Sequence, residues 1–149
     1  MFYEGSDAIW DYLGITGAIY FTGAISVVEG CGDLGCEYMT GGSVTVLGEV
    51  GNNFGAGMTG GVAFVYDKSH RLDKNLNKSS VELVELSRAD KTAISYFKKI
   101  IKDYVKETKS IKAKEILKNF ENEISNIKLI KPINASMEDI KKNVINKVA

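Results

Sequence analysis

The sequence predicts a mostly β protein, in which a solenoid of stacked coils is followed by packed α-helices. Two observations support this fold class: a repeat of about 18–19 residues in the first half, and apolar residues at helical spacing in the second half. The composition changes at the same point, because all 15 glycines lie at or before Gly61 and all 19 Lys and Arg residues lie after Asp67. We therefore predict glycine-rich β coils over residues 1–67 and a helical extension over residues 68–149, packed together as one structural domain.

The repeat is visible in three tandem copies. The tetrapeptide Met-Thr-Gly-Gly occurs at Met39–Gly42 and again 19 residues later at Met58–Gly61, and each copy leads into a β-prone segment. A third copy, Phe21–Gly30, falls into the same frame 18 residues before the first. Repeats near this length are typical of solenoids, in which each unit buries its apolar face only by stacking on its neighbours.

The glycines of these copies are predicted to form the corners of the coils. A sharp corner needs a positive φ or a close approach of two backbones, and glycine meets both needs without steric cost. The predicted corners are Gly23, Gly41, Gly42, Gly55, Gly57, Gly60 and Gly61.

The columns of the aligned copies predict which side chains point inward. One column is predicted to stack inside the coils, and it contains Val28, Val46 and Val65. The column one residue earlier is expected to point outward, to solvent or a packed neighbour, and it contains Val27, Thr45 and Phe64. Aspartate at position 46 should therefore be strongly destabilising, and aspartate at position 45 nearly neutral.

Gly55-x-Gly57-x-x-Gly60 matches the letter pattern of a pyrophosphate-binding loop. That loop must lead from a strand into a helix N-terminus, whereas the residues after Gly60 are β-branched and aromatic and predict a strand. We therefore expect no cofactor-binding residues here.

No catalytic or metal-ligating residues are predicted either. Cys31 and Cys36 have no neighbouring Cys or His ligands and are expected to be small buried side chains in a reducing, cytoplasmic compartment. His70, the only histidine, is expected in a solvated loop.

Charge is divided between the two halves of the chain. Residues 1–67 carry eight acidic groups and no basic ones, a net −8, while residues 68–149 carry 19 basic and 11 acidic groups, a net +8. The halves are expected to attract each other or a partner of opposite sign. The lysines alternate with apolar residues, which argues against a nucleic-acid partner. The uncharged stretch Tyr12–Val28 has acidic flanks without Lys or Arg, so no membrane span is expected.

Helical periodicity begins after the glycine-rich half. An amphipathic helix is predicted over Arg88–Thr108, and a second begins at Ser110 as N-cap. Ser136 with Asp139 predicts a capped last helix, and Pro132 ends the run before it. The apolar face of the second helix is predicted to contain Ile111, Ile116, Leu117, Phe120, Ile124 and Ile127, and that of the last helix Ile140, Val144 and Val148.

The stretch "GCGDLGCEYMTGGSVTVLGEVGNNFGAGMTGGVAFVYD", Gly30–Asp67, resembles the C-terminal glycine-repeat (GXGXG) domain of the glutamate synthase large subunit. Ser80–Leu86 and Glu107–Phe120 are similar to the segment that follows in that family. The resemblance implies a right-handed parallel β-helix that positions amidotransferase and flavin domains without catalysing a reaction itself. FMN and an iron–sulfur cluster are then expected on other domains. In one departure from the family, this chain has no basic residue before Lys68 and no arginine before Arg71.

Two alternatives remain open at this stage. The β-helix subunit of a formylmethanofuran dehydrogenase-like complex has a similar repeat, although the residues after Asp67 favour glutamate synthase. The second alternative is a free-standing β-helix binding module or acyltransferase. An acyltransferase of this kind needs a six-residue repeat and a catalytic histidine on a coil, whereas the repeat here is 18–19 residues long. An exposed end of the β-helix could also join two copies of the chain.

Overall fold

The computed structural model describes residues 25–146. Its strands are β1 Ile25–Val28, β2 Thr40–Val46, β3 Gly60–Tyr66, β4 Val81–Glu85 and β5 Ile127–Pro132. Its α-helices are α1 Leu72–Asn75, α2 Lys91–Thr108, α3 Ile111–Lys118, α4 Phe120–Glu123 and α5 Met137–Ile140. Short 3₁₀ turns cover Leu86–Arg88 and Ile124–Asn126, and a π-helical turn covers Lys141–Ile145.

The described strands form one mixed sheet of five, in the order β1-β2-β3-β5-β4. The strands β1, β2 and β3 pair in parallel, while β5 pairs antiparallel with both β3 and β4. The prediction of a mostly β solenoid, the parallel β-helix, is therefore wrong: the fold is mixed α/β, and no solenoid is present in the part described. Two strands from the half predicted to be helical complete the sheet.

The sequence pattern of β5 explains why this strand was missed. Its lysines, Lys128 and Lys131, resemble the exposed lysines of the neighbouring helices, yet both are buried. Directly across the strand pair lie Glu85 and Glu82, and each lysine Nζ forms an ion pair with its partner's carboxylate. Because such pairing permits a lysine to be buried, the charged positions of β5 belong to a strand rather than to a solvated helix face.

The two faces of the sheet are covered by different layers. On one face, Val27 and Phe64 pack in a core cluster with α2, α3 and the last helical segment. On the other face, Val28, Val46 and Val65 pack with residues of the loops before β2 and β3 and with α1. The sheet is thus the middle layer, and the side chains of each strand alternate between two separate cores.

The helix termini follow the sequence closely. The predicted N-caps are confirmed: Ser110 Oγ accepts from the Ala113 N–H at 3.2 Å, and Ser136 with Asp139 forms a capping box. The face assigned to the second helix is partly wrong, because Ile111 is 75% exposed and Ile127 lies in β5. Val148 lies outside the described residues.

Candidate functional site

The predicted corner glycines occur at the beginnings of strands and in the loop between them. Gly41 and Gly42 lie near the start of β2, and Gly60 and Gly61 begin β3. A Cβ on Gly60 would collide with the Thr40 carbonyl of the paired strand. Glycine is therefore required at position 60 by the close approach of two backbones, and a Cβ on Gly61 would likewise meet the backbone of Gly41. The remaining predicted corners are Gly55 and Gly57, in the loop before β3, and Gly23, which lies outside the described residues.

The tract with the nucleotide-like letter pattern leads into a strand. β3 begins at Gly60 itself, so the prediction of a strand here is confirmed. A Cβ on Gly55 would meet the Val81 side chain, and one on Gly57 would meet the ring of Tyr38. Both glycines have positive φ, 78° and 67°. Packing inside the protein therefore favours glycine at both positions.

The register of the parallel strands matches the columns of the repeat. Val28 pairs with Val46, and Val46 with Val65, on the face that the loops cover. In the neighbouring column Thr45 pairs with Val27 and Phe64. Thr45 has no exposed surface, so the expectation that a charge would be tolerated there is wrong. The helical layer covers the face of the sheet on which Thr45 lies, so that both faces of the sheet are buried.

The loops before β2 and β3 stack on each other, and we call residues 30–38 together with residues 50–57 the loop stack. The Leu34 N–H donates to the Asn52 carbonyl at 2.9 Å, and the Tyr38 N–H donates to the Ala56 carbonyl at 2.8 Å. The Phe54 N–H continues this hydrogen bonding to the Asn75 carbonyl at 2.8 Å, at the end of α1. Backbone hydrogen bonds thus hold the loop stack in a defined conformation.

A groove of about 640 Å³ opens at the N-terminal ends of β2 and β3. Its described lining is mostly apolar or glycine, with Ser80, Asn134 and Asn143 among its polar residues. Asp139 is the only carboxylate among the described lining residues, and the serine of its own capping box accounts for its lowered pKa. Tyr96 also lines the groove, and its hydroxyl donates a hydrogen bond to Ser43 Oγ.

Both cysteines are free thiols with raised pKa values. Burial raises the pKa of Cys36 to about 12. The pKa of Cys31 is raised mainly by burial and secondly by the nearby Cys36. The thiolate is the nucleophilic form of cysteine, so neither group is activated at neutral pH. His70, with φ 57°, is exposed in the turn after β3, as expected from the sequence.

The carboxylates outside the loop stack mainly serve structural roles. Asp67 accepts hydrogen bonds from the Arg71 and Leu72 N–H groups at the start of α1, and Asp90 is the N-cap of α2. The Tyr66 hydroxyl donates a hydrogen bond to Glu123 at 2.7 Å. The pKa of Tyr66 is raised mainly by burial and secondly by this carboxylate. Among residues 25–146 no group of three His, Cys, Asp or Glu side chains is arranged to hold a metal ion.

The charge division of the sequence contributes little to joining the two halves. Among residues 25–146, one ion pair joins the acidic half to the basic half. It links Arg71 to Glu49 at 3.8 Å, and both side chains are more than half exposed. Exposed pairs of this kind contribute little to stability. The halves are joined instead by the backbone pairing of β3 with β5 and by apolar packing between the sheet and the helices. Over the same residues, no helix is long and apolar enough to cross a membrane.

Sequence reasoning missed two exposed residues of the loop stack, Leu34 and Tyr38. Both have left-handed backbone conformations, with φ of 62° and 54°. These conformations are uncommon for residues with large side chains, so nothing in the residue types predicts them. The flanking glycines, which mark a turn-rich segment, are the available signal.

Together, the glycine-containing turns, the parallel strands and the stacked loops define a structural domain of the glycine-repeat class. The chain belongs to the GXGXG motif family, whose model matches residues 4–133.

The chain is similar to several curated glutamate synthases. It is 41% identical over 115 residues to the NADH glutamate synthase of Schizosaccharomyces pombe, covering 77% of this chain and 5% of the relative. It is 39% identical over 130 residues to the NADPH glutamate synthase large chain of Bacillus subtilis, covering 83% and 8%. The ferredoxin-dependent glutamate synthase of Antithamnion sp. is 43% identical over 116 residues, covering 77% and 7%. The chain thus spans less than a tenth of the length of these relatives.

Proposed function

We propose that the chain is a non-catalytic structural part of a glutamate synthase, which holds the amidotransferase and flavin-binding domains in position. The observation that carries the proposal is the 39–43% identity to three glutamate synthases, which extends over 115–130 residues. The assembled enzyme would form glutamate from glutamine and 2-oxoglutarate. Flavin mononucleotide and the iron–sulfur cluster would be bound by the other domains.

The chemistry of the described residues supports a structural role. An acyl-transfer nucleophile needs an activated thiol or hydroxyl, and the pKa values of Cys31 and Cys36 are shifted in the opposite direction. The buried lysines, Lys128 and Lys131, are engaged by carboxylates of the adjacent strand. A free thiol pair also fits a reducing compartment, and we propose the cytoplasm.

The experiment that tests this function is reconstitution from separate parts. The chain is co-expressed with the amidotransferase and flavin-binding parts from the same genome, and we expect all of them to co-purify. The isolated chain should release no glutamate from glutamine and 2-oxoglutarate. Glutamate formation by the purified chain alone, or its failure to associate with the other parts, would contradict the proposal.

Deletion of residues 1–67 is not a suitable test of the same idea. That deletion removes β1, β2 and β3, and it leaves β5 paired with β4 alone. Two-stranded sheets have marginal stability, so the remaining chain would lose its fold together with any binding surface. Point substitutions on the surface are needed instead.

A further inference from the structure

Leu34 and Tyr38 combine exposure with a strained backbone. Leu34 is 36% exposed and Tyr38 is 59% exposed, and both φ values are positive, 62° and 54°. Large side chains rarely adopt this region, where asparagine and glycine are favoured. Cys36, between them, has a φ of 57° but is 2% exposed, so its packing in the core offsets the strain. Exposed Leu34 and Tyr38 gain much less from packing within the chain.

The backbone at both residues and the ring of Tyr38 are also held in place before any partner binds. The N–H groups of Leu34 and Tyr38 both donate to carbonyls of the second loop of the loop stack. The Tyr38 ring lies over Gly57, where a Cβ would collide with it. Binding of a partner at these residues would therefore cost this segment of the chain little conformational freedom.

The charges near these residues are not neutralised within the described part of the chain. At the base of the loop stack, Glu29 accepts a hydrogen bond from Ser110 at 2.5 Å, and Glu49 lies 3.8 Å from Arg71. Asp33 and Glu37 flank the two apolar side chains, and no ion pair to either is present among residues 25–146. Asp33, Leu34, Glu37 and Tyr38 thus lie in one turn of the loop stack, which places two exposed apolar side chains beside two carboxylates.

We propose that Asp33, Leu34, Glu37 and Tyr38 form a docking patch for another domain of the same glutamate synthase. The complementary surface is an apolar pocket rimmed by lysine or arginine side chains. Tyrosine is common among the residues that dominate interface energies, and opposite charges at the rim add specificity. This inference rests on the proposed function, because it names the surface through which the structural part would bind.

The test uses a variant that removes the apolar contact without straining the fold. Leu34→Asn with Tyr38→Asn places a residue tolerant of the left-handed region at both positions. The control is Ile111→Asn, which removes an exposed apolar side chain at the start of α3, 75% exposed and outside the patch. Affinity for the purified amidotransferase and flavin-binding parts is measured by calorimetry. We expect the double variant to bind about tenfold more weakly or worse, and the control to bind like the wild type.

A second variant tests the rim and guards against a folding defect. Asp33→Asn with Glu37→Gln retains the acceptor for the Asn52 N–H and removes both charges. We expect weaker binding with a smaller dependence on salt than in the wild type. Should the first variant fail to fold, this second variant decides the proposal.

The outcomes separate the patch from the function. Absence of wild-type binding would overturn the proposed function and, with it, the patch. Wild-type binding that neither variant weakens would overturn the patch alone. If sedimentation shows that the isolated chain pairs with itself, and Leu34→Asn with Tyr38→Asn abolishes that pairing, the patch contacts a second copy and the proposal of a partner domain is wrong.

Discussion

Tyr96 of α2 donates a hydrogen bond from its hydroxyl to Oγ of Ser43 in β2, at 3.0 Å, and both residues are buried. The two residues are 53 positions apart in the sequence. Burial raises the pKa of Tyr96, so the hydroxyl remains a donor across the physiological pH range. This contact joins the helical layer to the sheet inside the core.

Tyr96→Phe should therefore destabilise the protein by about 1–2 kcal/mol, because it leaves the Ser43 hydroxyl buried without its donor. The double variant Tyr96→Phe with Ser43→Ala removes both partners and should recover part of that loss. Urea denaturation of the four proteins measures the coupling free energy. If the two single effects simply add, the hydrogen bond contributes nothing to stability.

Thr45→Val should stabilise the protein by about 1 kcal/mol. Thr45 has no exposed surface, and its hydroxyl has no hydrogen-bond partner among residues 25–146. Valine retains the β-branched shape that suits a strand and removes the unsatisfied group. The matched control is Val44→Thr, on the opposite face of β2, which should destabilise by a similar amount. A lower melting temperature for Thr45→Val would show that the hydroxyl has a favourable contact.

The interaction between Tyr66 and Glu123 should make stability depend on pH. The hydrogen bond from Tyr66, and then that from Asn126, lowers the pKa of Glu123 below its usual value. This stabilisation is complete above about pH 4.3, the value for an unfolded glutamate. It is lost as the pH falls through the lower folded-state pKa.

Glu123→Gln should therefore lower the melting temperature at pH 7, and the difference from wild type should shrink in acid. Glu121→Gln, whose side chain is 88% exposed, serves as the control and should change little. A difference between wild type and Glu123→Gln that stays constant down to pH 2 would show that the carboxylate charge is not involved.

Neither thiol should react with a disulfide reagent in the folded protein at pH 7.5. Cys36 is buried with a pKa of about 12, and the pKa of Cys31 is raised in the same way. Both thiols should react fully in guanidinium chloride, where burial no longer suppresses the thiolate. Rapid native-state labelling would mean that the loop stack opens far more readily than its hydrogen bonds suggest.

Local sequence signals predicted the elements that depend on local physics. The repeat of Met-Thr-Gly-Gly marks the starts of β2 and β3, and Ser110 and Ser136 mark helix N-caps. Long-range pairing was not predictable in the same way. Lys128 lies in a buried strand because Glu85, 43 residues away, faces it across the sheet, and no local pattern carries that information.

The burial of Thr45 was not predictable from the sequence for a related reason. Strand periodicity separates two faces, but it does not say whether a second layer covers the outer one. Here α2 covers it, so both faces are buried. The left-handed backbone at Leu34 and Tyr38 was likewise hidden, because it results from hydrogen bonds between two loops rather than from residue type.

The most direct test of the structural role is glutamate formation by the reconstituted parts. The amidotransferase and flavin-binding parts are purified with and without this chain, and glutamate produced from glutamine and 2-oxoglutarate is measured with a suitable electron donor. We expect coupled synthesis only when the chain is present, and no activity from the chain alone. Equal synthesis by the other parts in its absence would contradict a role in positioning them.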